Sequence, residues 1–288
     1  MPWVPELFTV PVLQRVLDKR RQERLTAVPY FDGLLAGEPD ALVESFAGEP
    51  ELYDPVRGRI KGAGAFRAFV SDTRAWLVDR NVSVEDVGHV VLEGRGYEEV
   101  VLQLDGDGGR VELPFAIVAD RRSDGWIDEL RIYYSGWALT GRHANRPPVL
   151  QGNADLDAPD VVGEYKAALA AGDLDAVLAA FEPDGYAREP AGAQYVHRGP
   201  DGLRAFYEGL FSNGGGIPLE ICALIDDGRA CALEYNVVRW GETPLPPQAG
   251  VAVYVRGHSG KLAAARIYDD TDPPVAAAAR RAQPWKAE

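Results

Sequence analysis

The chain says nearly the same thing twice. Residues 36–55 read AGEPDALVESFAGEPELYDP, and residues 171–190 read AGDLDAVLAAFEPDGYAREP. At a constant offset of 135, Tyr30 falls on Tyr165, Gly37 on Gly172, Asp40 on Asp175, Phe46 on Phe181 and Pro55 on Pro190. Much further along, LRIYY (130–134) falls on ARIYD (265–269) at the same offset. In between, FRAF (66–69) meets LRAF (203–206) at 137, so two loop residues are gained and later lost. A register held over that distance marks a duplication, and any fold must build one unit twice. The 288 residues accommodate that as two domains of about 140 each.

The break between copies falls in GRHANRPPVLQGNADLDAPD (141–160), which is rich in Pro, Gly, Asn and Asp and has no apolar period. The expected organisation is a first domain over 1–145, a linker over 146–157 and a second domain over 158–288. Residues 1–24 are expected to form a helical extension of the first domain, and 9–28 read as an amphipathic helix with a basic stretch. Residues 275–288 form a tail of the second, either a short helix closing its pocket or a frayed end.

Each copy reads the same way. VVGEYKAALAAG has apolar residues at helical spacing and Gly172 placed as a C-terminal cap. DLDAVLAAF is a second short helix with Asp173 at its N-cap, YAREP a short strand, and GPDGLRAFYEGLF a third helix. Four strands follow, PLEICALI, ACALEYNVVRW, GVAVYVRG and KLAAARIYD, with DDGR and GHSG as hairpin turns. The first copy follows suit with VSVEDVGHVVL, YEEVVLQL, RVELPFAIVAD and WIDELRIYY. The class is α+β, a curved and mostly antiparallel sheet with three helices folded across it, enclosing an apolar pocket.

Composition removes several functions. A net charge of −14 argues against nucleic acid, whose phosphates need a dense basic surface. No run reaches the roughly 18 apolar residues of a membrane helix, and the start lacks the apolar stretch of a signal peptide, which points to a cytoplasmic protein. The four histidines are far apart and lack ligand spacing, so no metal site is expected. His197 in YVHRGP reads as a loop residue, and Cys222 and Cys231 as small buried hydrophobes. The glycine cluster NGGG (213–216) lacks phosphate-loop spacing, so no nucleotide, flavin or other cofactor is expected.

The order of elements, with the words YKAALAAGDLDAVLAAF and REPAG, resembles the NTF2-like superfamily, and within it ketosteroid isomerase and the SnoaL-like polyketide cyclases. The likeness covers about residues 25–135 and 158–270. It implies two cone-shaped NTF2-like domains. It also implies roles, since the family's isomerases use a first-helix tyrosine as oxyanion donor and an aspartate before a proline on the first strand as base. Here Tyr30 precedes Asp54 by 24 residues, in LYDPVRG, and Tyr165 precedes Glu189 by the same 24, in AREPAG. A carboxylate in an apolar cup is pushed toward working pH, while a phenol stabilises the charge that develops opposite. Taken singly, a first-helix tyrosine can simply pack and an acid before proline can simply make a turn. The family's second oxyanion donor, a protonated acid on a late strand, falls on Ile117 and Ala252, which cannot donate. That departure speaks against steroid isomerisation and leaves base-assisted cyclisation, isomerisation or elimination.

Other equivalent residues could serve the same pockets. Glu99 and Glu234 lie 135 apart, mid-strand among apolar neighbours, and either face the cavity as a second carboxylate or face away. Arg131 and Arg266 occupy matching sites on the last strand, with Tyr133 and Tyr268 two residues on and on the same face. An inward arginine beside an acid resembles the limonene-epoxide-hydrolase branch of the superfamily; the alternative is an ion pair that holds the last strand to a helix. Three functions follow. The first is a cofactor-free acid–base enzyme, an isomerase, cyclase or epoxide-opening hydrolase of an apolar small metabolite. The second is a non-catalytic binder of an apolar ligand, and the third a scaffold that uses exposed sheet. In each case the two copies could pair within one chain, giving a monomer that imitates a dimer.

Overall fold

The computed structural model describes residues 39–106, 108–123 and 126–274. Tyr30, the helical pattern over 9–28 and the tail over 275–288 lie outside the described residues. The chain divides into two compact units, Met1–Tyr134 and Ser135–Glu288.

In the first unit, helix α1 (Pro39–Val43) precedes strands β1 (Glu51–Asp54) and β2 (Gly58–Lys61), then helix α2 (Ala63–Asp79). Strands β3 (Ser83–Leu92), β4 (Arg95–Gly106), β5 (Gly109–Arg121) and β6 (Ile127–Tyr133) follow. They form one six-stranded sheet in the order β2-β1-β6-β5-β4-β3. The second unit opens with the short helix α3 (Trp137–Thr140), then α4 (Asp160–Ala171) and α5 (Leu174–Ala179). Strands β7 (Phe181–Arg188) and β8 (Val196–Arg198), helix α6 (Gly199–Leu210) and strands β9 (Leu219–Asp226), β10 (Ala230–Trp240), β11 (Thr243–Arg256) and β12 (Leu262–Tyr268) complete it. Its sheet repeats the first in order, β8-β7-β12-β11-β10-β9. In each sheet one neighbour pair is parallel, β1 with β6 and β7 with β12, and the rest are antiparallel. The class is α+β, two such sheets with helices across them.

Local chemistry accounts for the helices of the second unit. Along α4, Val161, Val162, Tyr165, Ala168 and Leu169 are buried at helical spacing. Gly172 ends the helix in the left-handed region at φ 71°, donating its N–H to Leu169 and Ala168 carbonyls. A Cβ there would stand 2.8 Å from the backbone of Gly215 and Gly216, so both the turn and the close approach require glycine. Asp173 then caps α5, its Oδ1 accepting from the Ala176 N–H at 3.0 Å. Leu203, Phe206, Tyr207 and Leu210 make the buried stripe of α6. Each such side chain contributes about 1.5–3 kcal/mol by leaving water.

The sheet supplies the opposite wall. Cys231, Leu233, Tyr235 and Val237 alternate along β10 and join the core that also holds the buried residues of α4 and α6. The register shifts between Glu234 and Tyr235 against β9, and between Val237 and Arg239 against β11. Such irregularities bend a strand and steepen its twist, which curves the sheet around its inner face. Strand β11 begins at Thr243, seven residues before the expected GVAVYVRG. A tight turn pairs Trp240 with Thr243 and carries the ladder through the proline-rich stretch. Strands β2 and β8 were not anticipated either, since neither GRIK nor VHR has an apolar alternation to announce it. Cys231 is buried, Cys222 is half-buried, and both are free thiols.

Candidate functional site

Between the helices and the curved sheet of the second unit lies a cavity of about 80 Å³. One water needs roughly 10–15 Å³ measured the same way, so a small organic molecule fits. The walls are apolar and aromatic: Leu169, Phe206 and Leu210 from the helices, and Val237, Trp240 and Ile267 from the sheet. The Trp240 indole N–H is satisfied at the wall by the Leu210 carbonyl at 2.8 Å. Against this background a few polar groups stand out, namely Glu189, Asp269, His143, Thr271 and several tyrosines.

Glu189 follows β7 directly and is 2% exposed. Its backbone N–H donates to the Tyr195 carbonyl at 3.1 Å, closing the loop that leads into β8. That loop sets His197 opposite Ala187 in the β7–β8 ladder, where its Nε2 is hydrogen-bonded to Glu189 Oε1. The imidazole lies flat on Phe206, centroids 4.3 Å apart and planes 8° apart. His197, read from the sequence as a loop residue, is therefore a strand residue that orients the carboxyl group lining the cavity.

Tyr165 also lines the cavity, from α4, and its hydroxyl is 2.8 Å from that of Tyr207. Glu189 and Tyr165 thus border one space, each hydrogen-bonded to a different partner. Burial pushes the Tyr165 phenol up to about 12, against a smaller opposing effect of the Tyr207 hydrogen bond. Burial likewise raises Tyr207 and Tyr254 well above the ordinary tyrosine value. These phenols keep their protons across the physiological range and serve as donors.

A second carboxyl group comes from Asp269, just past β12. Its Oδ2 accepts from the Tyr235 hydroxyl at 2.8 Å. Burial pushes Asp269 up to about 6; the Tyr235 and Thr271 hydrogen bonds oppose the rise, and the Asp270 charge adds to it. The pair meets over Gly250, where a Cβ would stand 2.7 Å from the Tyr235 ring and 2.8 Å from Asp269 Cβ. A side chain there would drive the two apart.

The remaining sequence-predicted residues divide by face. Ala252 lines the cavity and is the cross-strand partner of Leu233. Glu234 pairs with Val251, which pairs with Tyr268, and Val253 pairs with Arg266. Glu234, Arg266 and Tyr268 therefore share the sheet face opposite the one that carries Ala252. On that face Tyr268 accepts a hydrogen bond from Arg188, and Arg266 donates to the Tyr186 hydroxyl at 3.3 Å.

The first unit repeats this division. Glu99, Ala116 and Tyr133 form one cross-strand row, with Val118, Arg131 and Tyr53 in the next, all opposite the face of Ile117. Arg131 is fully buried and binds Asp120 at 2.8 Å and Glu129 at 2.6 Å. It is an ion pair, but it ties the last strand to its neighbour β5 and to its own Glu129 rather than to a helix, as the sequence alternative had it. Asp54 is buried too, but its Oδ1 accepts the backbone N–H groups of Val56 at 2.9 Å and Arg57 at 2.8 Å. That is the turn role of an acid before proline.

Asp269, Tyr235, His143 and Thr271 were not singled out from the sequence. The repeat itself held a signal for one of them. Where the first copy ends RIYY, the second ends RIYD, so Asp269 replaces an aromatic residue at a matched position.

Residues 162–265 match the model of the SnoaL-like domain. No curated protein matches the chain. Among solved structures, a cystatin-fold protein from Novosphingobium aromaticivorans is 20% identical, over 37% of this chain and 93% of that one, with a TM-score of 0.33. SalBIII, described as an epoxide hydrolase/cyclase-like enzyme in pyran ring formation in the polyether salinomycin, is 19% identical. It covers 42% of this chain and 88% of its own, with a TM-score of 0.30. An NTF2-like protein from Cytophaga hutchinsonii is 15% identical, over 40% and 95%, with a TM-score of 0.31. Within the second unit, residues 162–265 are therefore similar to the SnoaL-like domain. Among the described residues no helix is long and apolar enough to cross a membrane.

Proposed function

We propose that the second unit is a cofactor-free acid–base catalyst that holds an apolar small molecule in its cavity and isomerises it, cyclises it or opens its epoxide. One observation carries this reading: two buried carboxyl groups, Glu189 and Asp269, border one apolar cavity in unlike surroundings. Two carboxyls in unlike surroundings can divide the work of base and acid between them. Glu189, oriented by His197, takes a proton from the substrate. Asp269, held toward its neutral form by burial, returns one to the substrate oxygen. In the hydrogen-bonded Tyr165–Tyr207 pair one hydroxyl donates to the other, which keeps its own proton for charge that develops on that oxygen.

Three probes of cavity size test the reading without a known substrate. Cyclohexanone α-proton exchange in heavy water, 3-cyclohexenone isomerisation and cyclohexene oxide hydrolysis are each followed by NMR. At least one is expected to be accelerated by the protein and to lose that acceleration in Glu189→Gln. If all three run at the buffer rate while the probes bind, the protein is a non-catalytic binder. That second reading is favoured by the partners both acids already have, His197 and Tyr235.

A further inference from the structure

The cavity has a polar corner that lies outside residues 162–265, the stretch matched by the SnoaL-like model. His143 enters it from the segment before α4. The ring stacks on Trp137, centroids 5.0 Å apart and planes 24° apart, and its Nδ1 lies 3.0 Å from Asp270 Oδ1. Asp270 is itself fixed by the Ser135 hydroxyl at 2.6 Å and the Ala144 N–H at 2.7 Å. Burial would raise this carboxyl, but the hydrogen bonds from His143, Ser135 and the backbone outweigh it and hold Asp270 below the ordinary aspartate value. An anion at that point fixes the proton of neutral His143 on Nδ1, and in that tautomer Nε2 is the acceptor.

Thr271 is the next residue along the chain and lines the same cavity. It is 3% exposed, and its Oγ1 makes no hydrogen bond among the described residues. A buried hydroxyl without a partner is costly, and valine would fill the same volume without that cost.

We infer that His143 and Thr271 form a subsite for a hydroxyl group on an otherwise apolar ligand. The Thr271 hydroxyl donates to the ligand oxygen, and the ligand hydroxyl donates to His143 Nε2. The inference rests on the cavity being a ligand site, as proposed above, and adds the chemical class: a small ring-bearing alcohol or phenol rather than a hydrocarbon.

Two probes of nearly equal shape, 4-ethylphenol and ethylbenzene, test it by ligand-detected NMR titration of the full chain. The expected result is roughly tenfold tighter binding of 4-ethylphenol, in line with one to two hydrogen bonds to buried groups. Thr271→Val and His143→Asn should each shrink that preference severalfold and leave ethylbenzene affinity unchanged. Valine keeps the threonine shape, and the asparagine amide keeps the donor to Asp270, so folding is preserved in both; thermal melts check this. If the parent binds the two probes equally, or both variants keep its preference, the hydroxyl subsite is overturned while the apolar cavity stands. If neither probe binds, the cavity reading fails, and the subsite with it.

Discussion

At one cross-strand position the two halves trade places. In the first, Phe115 on β5 faces Val100 on β4; in the second, Gly250 on β11 faces Tyr235 on β10. Both pairs carry one aromatic ring, but it comes from β5 in the first and from β10 in the second, where it bears a hydroxyl. One strand further on, Tyr134 of the first half corresponds to Asp269 of the second. Phe115 and Tyr134 stack, centroids 5.3 Å apart and planes 10° apart, whereas Tyr235 hydrogen-bonds Asp269. The acid before proline diverges in the same sense, since Asp54 is spent on its own turn and Glu189 borders a cavity. The two sheets share strand order and register at matched positions, while the polar chemistry of the inner face differs. Equivalent positions therefore license the same backbone and not the same role.

The sharpest way to break this contrast is to neutralise both acids in turn. If Glu189 is the base, Glu189→Gln should cost roughly 10²–10⁴-fold in turnover of whichever probe is accelerated, about 3–5 kcal/mol in barrier. Asp54→Asn should leave that rate within twofold. Equal losses would mean that the halves work alike, and the asymmetry would be wrong.

Asp269 gives the next largest effect, and its sign is fixed by its raised pKa. The folded carboxyl, at about 6, holds its proton more tightly than the ordinary 3.8 of an unfolded chain. Its stabilising contribution is therefore complete below about pH 4 and is lost as pH rises through about 6, a swing of about 3 kcal/mol. Urea unfolding of the parent and of Asp269→Asn between pH 4 and 7.5 isolates it, because titrations elsewhere are common to both. The parent should lose stability relative to the variant across that window. A difference that stays flat with pH would remove Asp269 from the acid role.

Gly250 sharpens the structural side of the comparison. Gly250→Ala places a Cβ within 2.8 Å of both Tyr235 and Asp269, and overpacking of that kind costs about 1–3 kcal/mol. The expected result is a lower urea midpoint with an unchanged slope. Tolerance of alanine would show that the pair over Gly250 is loosely held.

Much of the fold was legible because it rests on short-range signals. Gly172 and Asp173 announce the end of one helix and the start of the next, and β10 was bounded correctly by its apolar run. The start of β11 was missed because proline-rich TPLPP reads as loop, and only the partner strand makes it a ladder. The site was legible where it follows the repeat, as at Tyr165, Glu189 and Ala252. It was illegible where burial depends on which face a strand turns inward. Glu234 and Arg266 have the right chemistry for a pocket and lie on the other face, a distinction fixed by register rather than by residue type. His143 was beyond reach for a different reason, since it comes from a segment whose composition reads as linker.

Asp54 carries the smallest effect and separates its two possible roles by stability alone. Its Oδ1 caps two N–H groups, those of Val56 and Arg57, on residues that are exposed. Removing the acceptor in Asp54→Ala exchanges those bonds for water, a loss of about 1 kcal/mol. Asp54→Asn keeps a side-chain oxygen in the same place and should change stability by less than about 0.5 kcal/mol, because asparagine makes the same turn. A turn residue predicts that pattern, alanine costly and asparagine neutral, with activity indifferent to both. A base predicts the reverse, since asparagine cannot take a proton and would abolish its chemistry while folding as well as the parent. Urea midpoints and probe turnover for the two variants decide between them, and asparagine alone is enough to return Asp54 to the active set.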